Sequence, residues 1–122
     1  MIALLAAMLL AADPAMAGFY RSQTNEVGAA IELDPDGTFL YGLDYGAVSE
    51  GAEGKWVREG DTIYLTATKM QGAWNAPNFA RQPLTIKDGD LYLIRYDRNI
   101  RFVREGDPAP PPNRNNRLDK KN

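Results

Sequence analysis

The chain has 122 residues, 16 acidic and 14 basic side chains, a formal net charge of −2, and neither Cys nor His. A slightly acidic balance argues against nucleic-acid binding, which needs a basic surface. Without Cys there is no disulfide and no thiolate nucleophile, and without His the usual proton carrier near neutral pH and a common soft metal ligand are missing.

The first twelve residues, Met1–Ala12, read MIALLAAMLLAA. This apolar run is shorter than the ~20 residues that cross a bilayer. DPAMA follows, and its Ala15-Met16-Ala17 has the small-x-small spacing of a signal-peptidase site. The layout predicts a signal peptide over 1–17, although no Lys or Arg precedes the apolar run; the alternative is a short membrane-associated or buried core helix. Export places the mature chain in the periplasm or outside the cell, with no stable membrane insertion of its own.

Between Gly18 and Gly106 the pattern has a period of two, which predicts β-structure. A short first strand covers Gly18–Arg21. Ala29, Ile31 and Leu33 share one face of the next. Asp34-Pro35-Asp36-Gly37 has the residues of a tight turn, and Phe39, Tyr41, Leu43 and Tyr45 share a face of the strand that follows. The same pattern recurs around Arg58–Asp61 and Lys87–Asp90, with a last turn expected at Asp97-Arg98-Asn99. Gly42 and Gly46 lie within strand patterning, where Gly marks bulges or corners. Gly54 leaves room beside the Trp56 ring. These features predict an all-β domain over 18–106, an antiparallel up-and-down meander closed into a barrel of about eight strands. A flattened barrel or a two-sheet sandwich is the alternative. From Asp107 the chain reads DPAPPPNRNNRLDKKN, a Pro-rich basic tail over 107–122 that is expected to be disordered.

The stretch Ile31–Thr66, with its Asp-Gly turn, Thr-Phe-x-Tyr, Gly-x-Trp and Gly-Asp turn, resembles the core of small lipocalin-like exported barrels of Gram-negative bacteria. It is similar to the N-terminal barrel of copper-resistance envelope lipoproteins. The chain lacks the lipid-attachment Cys and the Cys-x-x-Cys pair of that family. The resemblance implies a small envelope barrel.

Aromatic side chains carry the candidate site. Phe39, Tyr41, Tyr45 and Trp56 either line a cup for a small apolar ligand or fill the core. The segment 67–82, ATKMQGAWNAPNFARQ, is the longest without clean strand periodicity, and its Met70, Trp74 and Phe79 either plug one barrel end or offer an anchor to an envelope protein. The candidate ligand-binding residues are therefore Tyr41, Tyr45, Trp56, Trp74 and Phe79. Glu50 and Glu53 flank Gly51 and are read as solvated loop carboxylates, so no acid–base pair is assigned. Asp34-x-Asp36-Gly37 is read as a turn and not a calcium loop, because its Gly comes two positions early. No catalytic residue, metal site or cofactor follows. The function expected is a non-enzymatic exported barrel that binds a small apolar ligand, with a protein-interaction or inhibitor module built on 67–82 as the alternative.

Overall fold

The alternation of apolar and polar residues does produce strands, and the computed structural model describes them over residues 13–72 and 76–106. They are β1 (Gly18–Ser22), β2 (Val27–Leu33), β3 (Thr38–Tyr45), β4 (Val48–Glu59), β5 (Thr62–Gln71), β6 (Ala80–Lys87), β7 (Asp90–Arg95) and β8 (Arg98–Arg104). Each pairs antiparallel with its chain neighbours, and β8 returns to β1 through Tyr20–Arg104, Arg21–Val103 and Ser22–Phe102, closing the barrel. A 3-10 turn, Pro14–Met16, precedes β1. The expected signal-peptide core and tail, 1–12 and 107–122, lie outside the described residues, as does Trp74.

Closure buries one side of every strand. Ile31, Leu33, Phe39, Trp56, Ile63, Leu65, Leu84, Leu91, Leu93 and Phe102 are all about fully buried and form one core. In a meander the connections alternate between two ends. The turns at 34–37, 60–61 and 88–89 define a lower end. The connections after β1, β3, β5 and β7 define an upper end.

Three local expectations need correction. The irregular segment 67–82 is strand at both ends, because β5 runs on to Gln71 and β6 begins at Ala80. The last turn is a two-residue one at Tyr96 (φ 53°) and Asp97 (φ 58°), with Arg98 and Asn99 already in β8; two consecutive left-handed residues match the twist of a hairpin. Glycine also acts differently from expectation. Gly42 keeps regular pairing with Ala30 and Gly51. Gly54 is needed for backbone approach and not for room beside the indole: a Cβ there would lie 2.1 Å from the Thr66 carbonyl oxygen and 2.8 Å from the Ala67 Cα. The β4–β5 register shifts at this point, between Glu53 and Gly54.

Two expected outcomes follow from this wall. Gly54→Ala forces two backbones apart and should lower the unfolding free energy by about 3 kcal/mol, read from the urea midpoint at unchanged slope. The second concerns Asp34, whose carboxyl is pushed up from 3.8 to about 6 by burial first and then by its contact with Glu32 and the charge of Asp36. A raised carboxyl stabilises the fold fully below its unfolded value, and this contribution is lost as pH rises through about 6. Asp34→Asn removes that loss, so its melting temperature should gain on the parent between pH 4 and pH 7. Solvent screening of a half-buried group limits the gain to about 1 kcal/mol. A constant difference across that range would contradict the assignment.

Candidate functional site at the upper end of the barrel

Counting back by twos along β4 from Trp56 gives Gly54, Ala52 and Glu50, and counting on along β7 from Leu91 gives Leu93 and Arg95. Both charged residues therefore point inward near the upper end. They are the two buried charged side chains among the described residues, with side-chain exposures of 0% for Glu50 and 3% for Arg95. Arg95 Nε donates to Glu50 Oε2 at 2.5 Å and Nη2 donates to Oε1 at 3.0 Å, a two-pronged pair. The Tyr41 hydroxyl donates to Oε2 at 2.6 Å and the Tyr96 hydroxyl to Oε1 at 2.5 Å. Arg95 Nη1 donates to the Pro77 carbonyl at 2.9 Å.

Three separate stretches of chain thus meet at one carboxylate, and a fourth joins them through the Pro77 carbonyl on Arg95. Phe79 completes the lid. It is 1% exposed, its ring centroid lies 4.8 Å from that of Tyr41, and the Arg95 guanidinium sits 4.9 Å from its face. Its backbone is fixed by Phe79 N–H to Met70 Sδ at 3.3 Å and by Ala67 N–H to the Phe79 carbonyl at 2.8 Å.

Burial opposes ionisation of Glu50, yet the hydrogen bonds from Arg95, Tyr41 and Tyr96 outweigh it and hold the carboxyl below its usual range. Burial, followed by the hydrogen bond to Glu50 and its charge, pushes the Tyr41 hydroxyl far up, so it remains a donor. A carboxylate whose oxygens accept four hydrogen bonds has no lone pair free for a metal and no proton to move. The arrangement is a latch. No group of three or more acidic, Cys or His side chains is arranged to hold a metal among the described residues.

The candidate residues are only partly brought together. Tyr41 and Phe79 touch. Tyr45 is half-buried at the same end, with its ring 6.4 Å from that of Tyr96 and its hydroxyl 3.3 Å from Arg98 Nη1. Trp56 is at the opposite end, where its indole N–H donates to the Asp34 carbonyl at 2.9 Å. The reading of Glu50 as a solvated loop residue is overturned, since it lies in β4 and is buried. The signal for it was strand parity, which applies to charged residues as well.

Beside the latch the wall opens. The two-residue turn at Asp88-Gly89 makes Lys87–Asp90 and Thr85–Tyr92 the pairs that exchange both bonds, and the next would be Pro83–Ile94. Pro83 has no N–H to give, and Arg81 adopts φ 68° where β6 slips against β5. The β6–β7 register ends at Thr85–Tyr92. Above it lies an open groove of about 530 Å³, lined by Ala76, Pro77, Gln82, Ile94, Arg95 and Tyr96 along with Asp97. Ile94 is 74% exposed, the most exposed large apolar side chain among the described residues.

Glu50→Gln leaves the Arg95 charge buried without its counterion. It should cost about 3–5 kcal/mol, whereas Glu50→Leu with Arg95→Met, which removes both charges but takes the acceptor from the Tyr41 and Tyr96 hydroxyls, should cost less, about 1–3 kcal/mol. Because the Glu50 carboxyl is lowered, its contribution is present at neutral pH and disappears only as pH falls below the ordinary carboxylate range. Urea unfolding of the parent, the single and the double variant at pH 7 and pH 3 checks both statements.

No protein-family model matches the chain, and no curated protein or solved structure matches it.

Proposed function

We propose that the protein is a non-enzymatic, exported binding module of the bacterial envelope that holds a segment of a partner protein in the groove between upper β6 and β7. The observation that carries this reading is the early end of the β6–β7 ladder beside the exposed Ile94. A strand edge with an apolar side chain next to it suits an extended peptide, which supplies main-chain hydrogen bonds and one apolar contact. The filled interior favours this over an apolar ligand in the lumen, since Tyr41, Trp56 and Phe79 are at most 5% exposed and packed into the core. The rigid latch beneath the groove favours it too, because Pro77 and Arg95 are tied together before any partner arrives. The apolar run Met1–Ala12 ahead of Ala15-Met16-Ala17 supports export.

A photo-crosslinking amino acid at position 94 tests the reading, with one at Leu40, another exposed apolar position at 49%, as the control. In envelope extract, position 94 should give discrete adducts that position 40 does not. Equal labelling at the two sites, or none at 94, would overturn it.

A further inference from the structure

The lower mouth is closed by a different device. Asp13–Ala17 folds back into it, with Met16 6% and Ala17 0% exposed, and the Met16 side chain joins the core. The Tyr20 hydroxyl donates to the Met16 carbonyl at 2.8 Å. Arg104 Nη2 donates to the Ala15 carbonyl at 2.8 Å and to the Tyr20 hydroxyl at 2.7 Å. Arg58 Nη1 pairs with Asp13 Oδ2 at 2.7 Å. The segment therefore presents oxygens to two guanidinium groups and one hydroxyl, and an unbranched apolar chain to the barrel interior.

We propose that this mouth is a binding site for an unbranched acyl carboxylate, and that Asp13–Ala17 is its built-in occupant. The same five residues contain the Ala15-Met16-Ala17 cleavage pattern. A cut after Ala17 severs the plug from β1 and leaves Tyr20, Arg58 and Arg104 without those oxygens, around an apolar seat. Departure of the plug opens the apolar seat under Met16 to water, with Arg104 still held against the Tyr20 hydroxyl at its rim, so the vacated mouth favours a ligand that covers the seat and meets the rim cations. A carboxylate supplies two acceptor oxygens for Arg104 and Tyr20, and an unbranched acyl chain follows the path of the Met16 side chain. Two cations select the carboxylate over the neutral alcohol of the same length. This site lies at the opposite end from the β6–β7 groove and does not depend on it.

Decanoate is the probe, with decanol as the uncharged control, both against the full chain. Met16→Lys puts a cation into the core beside Arg104 and should unseat the plug. The folded variant should bind decanoate at least about tenfold tighter than the parent by calorimetry, and Arg104→Gln added to it should remove that gain. Decanol should bind both chains alike. Equal decanoate affinity in parent and variant, or a gain that survives Arg104→Gln, would overturn the proposal. If Met16→Lys does not fold, amide exchange on the parent decides. Saturating decanoate should speed exchange at Met16 and Ala17, whose amides bond to the Asp13 and Pro14 carbonyls, and leave β3 unchanged. Unaltered exchange at those two amides would reject the site.

Discussion

The Glu50–Arg95 pair is the constraint around which the upper half of the barrel is arranged. Taking both charges out of water costs several kcal/mol per ion, and mutual attraction offsets this only when every remaining donor and acceptor is matched. The matching groups come from β3, β4, β7 with its turn, and the segment ahead of β6. Each must be at the right height before the pair is tolerable. A one-residue slip of β4 would turn Glu50 out of the barrel and leave Arg95 alone inside. The pair therefore penalises wrong registers strongly, whatever its net contribution to stability.

The two ends solve the same problem with different chemistry. An eight-stranded barrel is just wide enough for side chains to fill, but its mouths expose the last core residues to water. At the upper end a saturated carboxylate under Phe79 seals the core. At the lower end five residues of chain enter the mouth, and Tyr20 and Arg104 hold their carbonyls. The upper seal is made of strand and turn residues and cannot leave without unravelling β4 or β7. The lower seal precedes β1 and belongs to no strand.

Much of this was legible in the chain itself, for a physical reason. Strand parity is local, so the inward faces of β2, β3, β7 and β8 could be read from Ile31, Tyr41, Leu93 and Phe102 one residue at a time. Height along the barrel axis is not local. Tyr41 and Trp56 share inward parity and so looked like neighbours, but β4 is twelve residues long and carries Trp56 to the far end. Glu50 was misread because charge at an inward position suggests a loop until its partner is known, and that partner is 45 residues away. The length of segment 67–82 misled in the opposite direction: Lys69 and Thr68 hide strand periodicity on a wall that faces water on one side. Gly54 was noticed, but the reason for it, a neighbouring backbone within 3 Å, exists only once β5 is in place.

The order of the strands bears on how the barrel assembles. Seven of the eight ladders join neighbours in the chain and can zip from their turns at small loop-closure cost. The eighth, β1 with β8, brings together residues 84 positions apart, as in the contact between Arg104 and Tyr20. That seam carries nearly all of the long-range entropy, which makes it the slow step of a barrel whose other contacts are local. Until it closes, β1 and β8 are both open edges. In the uncut chain the lower plug is bound by the two residues that pair across this seam, so the plug cannot seat until the seam has closed, and its arrival reports that the barrel is complete.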